Sequence, residues 1–201
     1  MTSHRHNTSS DDAGDGPRDG YLDAARECIL DVGWRRTTLT EVARRAGVSR
    51  MTIYRPWTDM PALLGDLMTR EWGALVDTGV PLAPHPTAEA IADAVVATVD
   101  ALRANELFTR IVELDPELIL PYLLARRGRS QQMILDLLGA AIAVGQEAGR
   151  IRTGDPVAIA RALVLAAHGF VLSAHTMLDD ALDAAALDAE LHTLVVRSLQ
   201  P

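Results

Sequence analysis

The chain contains no lysine. All 19 of its basic residues are arginine, so every cationic contact must come from a guanidinium. A single cysteine excludes an intramolecular disulfide framework and a cysteine-rich zinc site. Aromatic residues make up only 4% against 48% for the apolar set as a whole, so the core of these 201 residues must be aliphatic. No segment alternates Val, Ile, Thr or aromatic residues at period two, and no internal repeat is evident, which points away from strands and from solenoids. Uninterrupted apolar runs fall short of the roughly 18 residues of a spanning helix. The Ser-, Asp-, Gly- and His-rich stretch from Met1 to Gly20 lacks the apolar block of a secretion signal, so a cytoplasmic, all-α protein is expected. Enzyme signatures are missing too: there is no G-x-S-x-G, P-loop, G-x-G-x-x-G or H-E-x-x-H, so neither catalysis nor a cofactor is expected.

What is present is uneven. The formal net charge is −8, yet from Trp34 to Trp57 there are six arginines (Arg35, Arg36, Arg44, Arg45, Arg50, Arg55) and one acid, Glu41. That island carries +5, which leaves −13 for the remainder. A compact basic island on an acidic chain is either a solvated helix face or the footprint of a nucleic-acid contact.

Residues 1–18 read as a tail of low hydrophobicity. Asp19 offers a helix cap, and Leu22, Ala25, Ile29 and Val32 recur at helical spacing up to Gly33, with Cys28 beside that stripe as a small buried hydrophobe. Thr38-Leu39-Thr40-Glu41 has the form of a capping box. Leu39, Val42 and Ala46 face inward from a short helix, which Gly47-Val48-Ser49 stops before starting another. Pro56 disfavours helical geometry at Arg55, so this second helix ends near Tyr54. Pro61 opens a longer amphipathic segment through Leu63, Leu64, Leu67, Met68, Trp72 and Val76. Prolines 81, 84 and 86 then mark a linker, giving a head at 19–78 and a larger helical domain at 79–201. Helices are expected there at 87–103, 105–114, 117–126, 129–148, 156–178 and 184–199, and Glu113, Asp115 and Glu117 look like charges at helix ends.

Two short helices joined by a tight glycine turn make a generic corner or a DNA reader. The basic island coincides with this corner, and Arg50 to Tyr54 is too short to be mainly a core element. It is long enough to set side chains against base edges in a major groove, with Ile53, Val42, Ala46 and Val48 as the small core behind it.

The run from Thr38 to Tyr54, preceded by Gly33-Trp34, resembles the N-terminal domain of TetR/AcrR transcriptional regulators, and the likeness covers residues 21 to 72. The resemblance implies a helix-turn-helix head on a helical effector-binding and dimerisation domain, and a function as a ligand-responsive regulator, in the first instance a repressor. Two positions depart from the family pattern. Met51 stands where a small residue is common, which alters the reading face, and Met60 stands where a lysine usually opens the fourth helix, which removes a phosphate contact. Trp57 replaces the usual phenylalanine and is assigned to the core.

Arg50 can bond two acceptors of guanine or a phosphate. Thr38, Thr40, Ser49, Thr52 and Tyr54 carry hydroxyls suited to phosphates and thymine methyls, or to capping; Met51 shares their face, and Arg44 and Arg55 add charge. The segment 156–178 is apolar nearly all round, with one stripe of Ile159, Leu163, Ala166, Phe170, Ala174 and Met177 and another of Val164, His168, Val171, His175 and Leu178. One side therefore belongs to the domain's own core and the other to a second copy, with 184–199 completing a four-helix homodimer interface that sets two heads on a palindromic double-stranded operator. The resemblance further implies a cavity, for which Phe108, Ile111, Tyr122, Met133, Leu137, His168 and Phe170 are candidate lining residues around a lipophilic effector with at most one polar head. His168 and His175 are spaced poorly for a metal. The alternative is a helical adaptor that kept the fold and lost DNA binding.

Overall fold

The computed structural model describes residues 16–78 and 84–201. The expected tail before residue 16, Pro81 with the rest of 79–83, and the side chain of Val76 lie outside the described residues. The helices are α1 (Pro17–Val32), α2 (Leu39–Arg45), α3 (Arg50–Tyr54), α4 (Met60–Thr78), α5 (Ala88–Ala104), α6 (Glu106–Leu114), α7 (Leu120–Leu124), α8 (Arg129–Glu147), α9 (Pro156–Ser173) and α10 (Ala184–Leu199). Among the described residues there is no strand, only an isolated bridge between Asp179 and Leu182.

Local chemistry fixes most helix starts. Thr87, Asn105, Asp155 and Asp183 each accept a backbone N–H from the first turn of the helix that follows. Three boundaries differ from the sequence reading. α1 is capped by Gly16 rather than Asp19, because Pro17 supplies a preset first helical residue without needing an N–H partner. Arg18, expected in the tail, instead lies over the Trp57 ring at 5.3 Å and pairs with Asp66. The expected helix at 117–126 divides into a 3-10 turn (Pro116–Leu118) and α7, since Pro121 has no N–H with which to continue a helix from 117. The segment 156–178 is α-helical only to Ser173 and then tightens into a 3-10 turn (Ala174–Met177).

Two cores result. The first gathers Leu22, Ile29, Leu39, Val42, Ile53, Trp57, Leu63 and Leu67, and Cys28 is buried within it. Leu107 and Ile111 of α6 complete this core, so the head is seated on the larger region. The second joins Ile91 and Val99 of α5 to Ile142 of α8, Ile159 and Leu163 of α9, and Leu191, Val195 and Leu199 of α10.

Pro156–Met177 is long and apolar enough to cross a membrane by length and composition, a feature the count of uninterrupted runs missed because Arg161 and His168 break the run. Its faces have other surroundings. Ile159 and Leu163 enter the second core, with Phe170 packed against it. His168, a candidate lining residue, turns toward a cavity, as do Val171 and Leu172. The side left open is a third one, with Ala158, Ala162, Leu165, Ala166 and Gly169 all exposed.

Candidate functional site

The corner forms as its residues dictate. Thr38 accepts the Glu41 N–H at 3.2 Å, which caps α2. The reciprocal half of the expected box is missing, because the Glu41 carboxylate takes the Arg44 guanidinium instead, with bonds of 2.6 and 3.0 Å. Bidentate pairing with a full charge outcompetes a bond to one backbone N–H. Gly47 turns the chain at φ 67°, a conformation that side-chain-bearing residues rarely adopt. Ser49 then caps α3, accepting the Thr52 N–H at 3.3 Å while the two hydroxyls lie 2.9 Å apart. α3 ends at Tyr54 as expected, but Arg55 keeps helical angles, so the missing N–H of Pro56 ends it and not the conformation of Arg55. Ile53 is fully buried beneath α3, with Ala46 and Val48 packed alongside.

Met51 (78% exposed) and Tyr54 (45%) project to solvent, Arg50 and Arg55 are exposed, and Thr52 is half-buried beside them. Thr38 and Ser49 are exposed and Thr40 is half-buried.

Three of the island's six arginines are paired with carboxylates, two of them with acids from outside it. Arg35 pairs with Glu117 at 2.6 Å and Asp115 at 3.4 Å, Arg45 with Asp31 at 2.5 Å, and Arg44 with Glu41; Arg36 donates to the Val32 carbonyl at 2.7 Å. A bond from Arg44, with its charge and that of Arg45 nearby, holds the Glu41 carboxyl below its ordinary range. Arg36, Arg50 and Arg55 make no ion pair among the described residues, so two of the three uncompensated charges lie on the short helix and just after it. Sequence reasoning missed this pairing, which depends on acids distant in the chain. Asp115 and Glu117 are thus more than helix-end charges: buried Asp115 also accepts the Trp34 N–H at 3.1 Å and anchors the head to the end of α6.

Met60, at the start of α4, packs against the first core. Trp57, the fully buried residue between α3 and α4, donates its indole N–H to Asp66 at 2.7 Å. Asp66 also takes Arg18 from α1 and Arg129 from the start of α8. Burial alone would raise the Asp66 carboxyl, but bonds from Trp57, Arg129 and Arg18 outweigh it and hold the group below the usual carboxylate range.

Below Asp66 lies a cavity of about 460 Å³ between α4, α5, α6, α7, α8 and α9. Of the expected lining, Phe108, Ile111, Tyr122 and His168 are there. Met133, Leu137 and Phe170 are not: Leu137 is exposed on the far side of α8, Phe170 packs against the second core, and Met133 points its methyl toward Gly73. Leu64, Met68, Trp72, Thr98, Gln131 and Ile134 line it without having been anticipated. The amphipathic pattern of α4 was legible, but not that one edge of it borders empty space. Burial lowers the His168 imidazole pKa, which favours the neutral ring, and its Nε2 lies 3.5 Å from the Gln131 amide nitrogen.

A capped helix, a left-handed glycine turn and a short outward-facing helix on an all-helical body define a helix-turn-helix protein. The family model described as bacterial regulatory proteins, tetR family, matches residues 22–67. An uncharacterized HTH-type transcriptional regulator of Mycobacterium tuberculosis is 38% identical over 183 residues, covering 91% of this chain and 93% of that protein. The chain therefore belongs to the TetR family of helix-turn-helix transcriptional regulators. Among solved structures, a Rhodococcus protein of unknown function superposes with a TM-score of 0.68 at 22% identity, covering 96% of this chain and all of that one. SmeT, the repressor of the Stenotrophomonas maltophilia multidrug efflux pump SmeDEF, does so at 0.61 and 20% identity, covering 92% and 90%. These two likenesses establish the fold.

Proposed function

We propose that this chain is a cytoplasmic, ligand-responsive repressor that binds a palindromic operator as a homodimer and is released by a small lipophilic effector. The observation that carries the DNA contact is the exposure of Arg50, Met51 and Tyr54 on α3, with Arg50 and Arg55 unpaired among the described residues. Arg50 reads a base edge or a phosphate, and Met51 offers an apolar surface to a thymine methyl. Thr38, Ser49 and Thr52 place hydroxyls along the same rim, with Thr40 deeper. Arg44 is held by Glu41 and contributes only where a phosphate draws it away.

The homodimer is supported by the open apolar side of α9 (Ala158, Ala162, Leu165, Gly169), continued on α10 by Leu194, which is 55% exposed. A second copy covering this side makes a four-helix interface and sets two heads about 34–36 Å, or a multiple of that, apart. The cavity is the effector site. Its walls include α4, and Arg129 on its rim is bonded to the carboxylate that holds Trp57 behind α3, so occupancy and head position share groups. The effector shifts the heads only as far as its affinity for the two arrangements differs.

Selection from random DNA at fixed salt, followed by titration of the selected duplex, tests the proposal. Sequence-specific binding that weakens steeply with salt and is lost in Arg50→Ala is expected. Binding indifferent to sequence, or unaltered in Arg50→Ala, overturns it in favour of an adaptor.

A further inference from the structure

The cavity is chemically lopsided. Its inner wall is apolar and aromatic, with Leu64, Trp72, Phe108 and Ile111. Its rim carries three exposed arginines, Arg126, Arg127 and Arg129, and no Asp or Glu lines it among the described residues. Of these arginines only Arg129 has a carboxylate partner among the described residues, Asp66. Arg126 lies over the Tyr122 ring at 5.0 Å, and Arg127 donates to the neutral Gln132 amide oxygen at 3.0 Å. The same rim holds the first turn of α8, a helix of 19 residues, whose free N–H groups and dipole add positive potential. Deeper in, the Trp72 ring lines the cavity, while its indole N–H is buried away from the open volume with no hydrogen-bond partner among the described residues. With His168 held toward its neutral form, the charge along the cavity runs from neutral inside to cationic at the opening.

We propose that the cavity takes an amphipathic anion, an apolar chain against Trp72 and Phe108 with its anionic head on Arg126, Arg127 and Arg129. This rests on the reading of the cavity as the effector site and adds the charge class of the effector. A neutral ligand of the same shape leaves Arg126 and Arg127 uncompensated, and a cationic one meets two unpaired like charges beside the Arg129–Asp66 pair. The head also competes with Asp66 for Arg129, so an anion alone loosens the carboxylate that holds Trp57.

The probes are decanoate, decanol and decylammonium, each titrated calorimetrically into the full-length protein below its micellar concentration, with operator binding followed in parallel. Decanoate is expected to bind about tenfold more tightly than decanol, the scale of one charge-assisted contact, and decylammonium most weakly. Arg126→Gln combined with Arg129→Gln should bring decanoate close to decanol, whereas Arg126→Lys, which keeps the charge, should retain the preference; melting curves confirm that each variant is folded. Decanol binding as well as decanoate overturns the anion preference and leaves the effector site standing. None of the three binding, by a protein that still holds its operator, overturns both the proposal and the effector reading of the cavity.

Discussion

Trp57 and Trp72 both stand where the head meets the helices beneath it, and they are treated in opposite ways. Trp57 is 1% exposed, meets Tyr21 edge-on at 6.4 Å, and spends its N–H on Asp66. Trp72 meets Phe108 edge-on at 6.1 Å, but its N–H is buried without a partner among the described residues and its ring borders open volume. The first belongs to a region whose polar groups are satisfied and whose space is filled. The second belongs to a region that borders a cavity. The two regions thus differ in packing, one filled and one bordering open volume.

The largest expected consequence is in truncation. Trp57→Ala should cost about 3–5 kcal/mol of unfolding free energy, since the ring is enclosed and Asp66 loses a donor. Trp72→Ala should cost distinctly less, because part of its ring already faces a cavity. Denaturant titration of both variants measures the gap, and equal losses would erase the distinction.

Phenylalanine replacements sharpen it. Trp57→Phe keeps most of the packing but leaves a half-buried carboxylate short of one bond, at a cost of about 1.5–3 kcal/mol. Trp72→Phe removes a donor that has no acceptor, and should change stability by no more than about 0.5 kcal/mol in either direction. A substantial loss in Trp72→Phe would mean that its N–H is bonded in the unliganded protein.

The arginines of the corner divide in the same way between finished and open. Arg50→Ala should weaken operator binding by about 1–3 kcal/mol and relax preference at one base position if it reads a guanine, or weaken all sequences alike if it meets a phosphate. Arg44→Ala should do less, since Glu41 already holds that guanidinium. Competition binding against single-base operator variants separates these outcomes.

These contrasts explain what the sequence could convey. The corner was legible because it is local: Thr38, Gly47, Ser49 and Pro56 set caps, turn and stop within a few residues of where they act. The order of helices was legible for the same reason, and the boundaries that differ are set by proline at Pro17 and Pro121 and by the 3-10 tightening after Ser173. The cavity was only half legible. Phe108, Ile111, Tyr122 and His168 were identified as large or polar residues on apolar faces, but a face packed on another helix and a face bordering a void have the same periodicity. Leu137 and Phe170 satisfy that pattern as well as Leu64 and Trp72 do, and only the arrangement of six helices tells them apart. The charge of the corner was misjudged likewise, because Asp31, Asp115 and Glu117 reach their arginines through the fold.

The smallest expected effect is a pH dependence that sets the cavity against the hub above it. Burial lowers the pKa of His168 from its ordinary 6.5, so the unfolded chain takes up a proton there before the folded one does. Stability is therefore full above that ordinary value and declines as the pH falls below it toward the depressed folded value. Asp66 acts in the same direction but in a lower window: its folded carboxyl is held below its ordinary 3.8, so its contribution persists until the pH falls through that range. Melting temperatures between pH 7.5 and pH 5 should thus fall less steeply in His168→Gln than in the parent, while Asp66→Asn should be destabilised by a near-constant amount across the same interval. Parallel slopes for His168→Gln and the parent would place the imidazole in contact with water, and with it the inner end of the cavity.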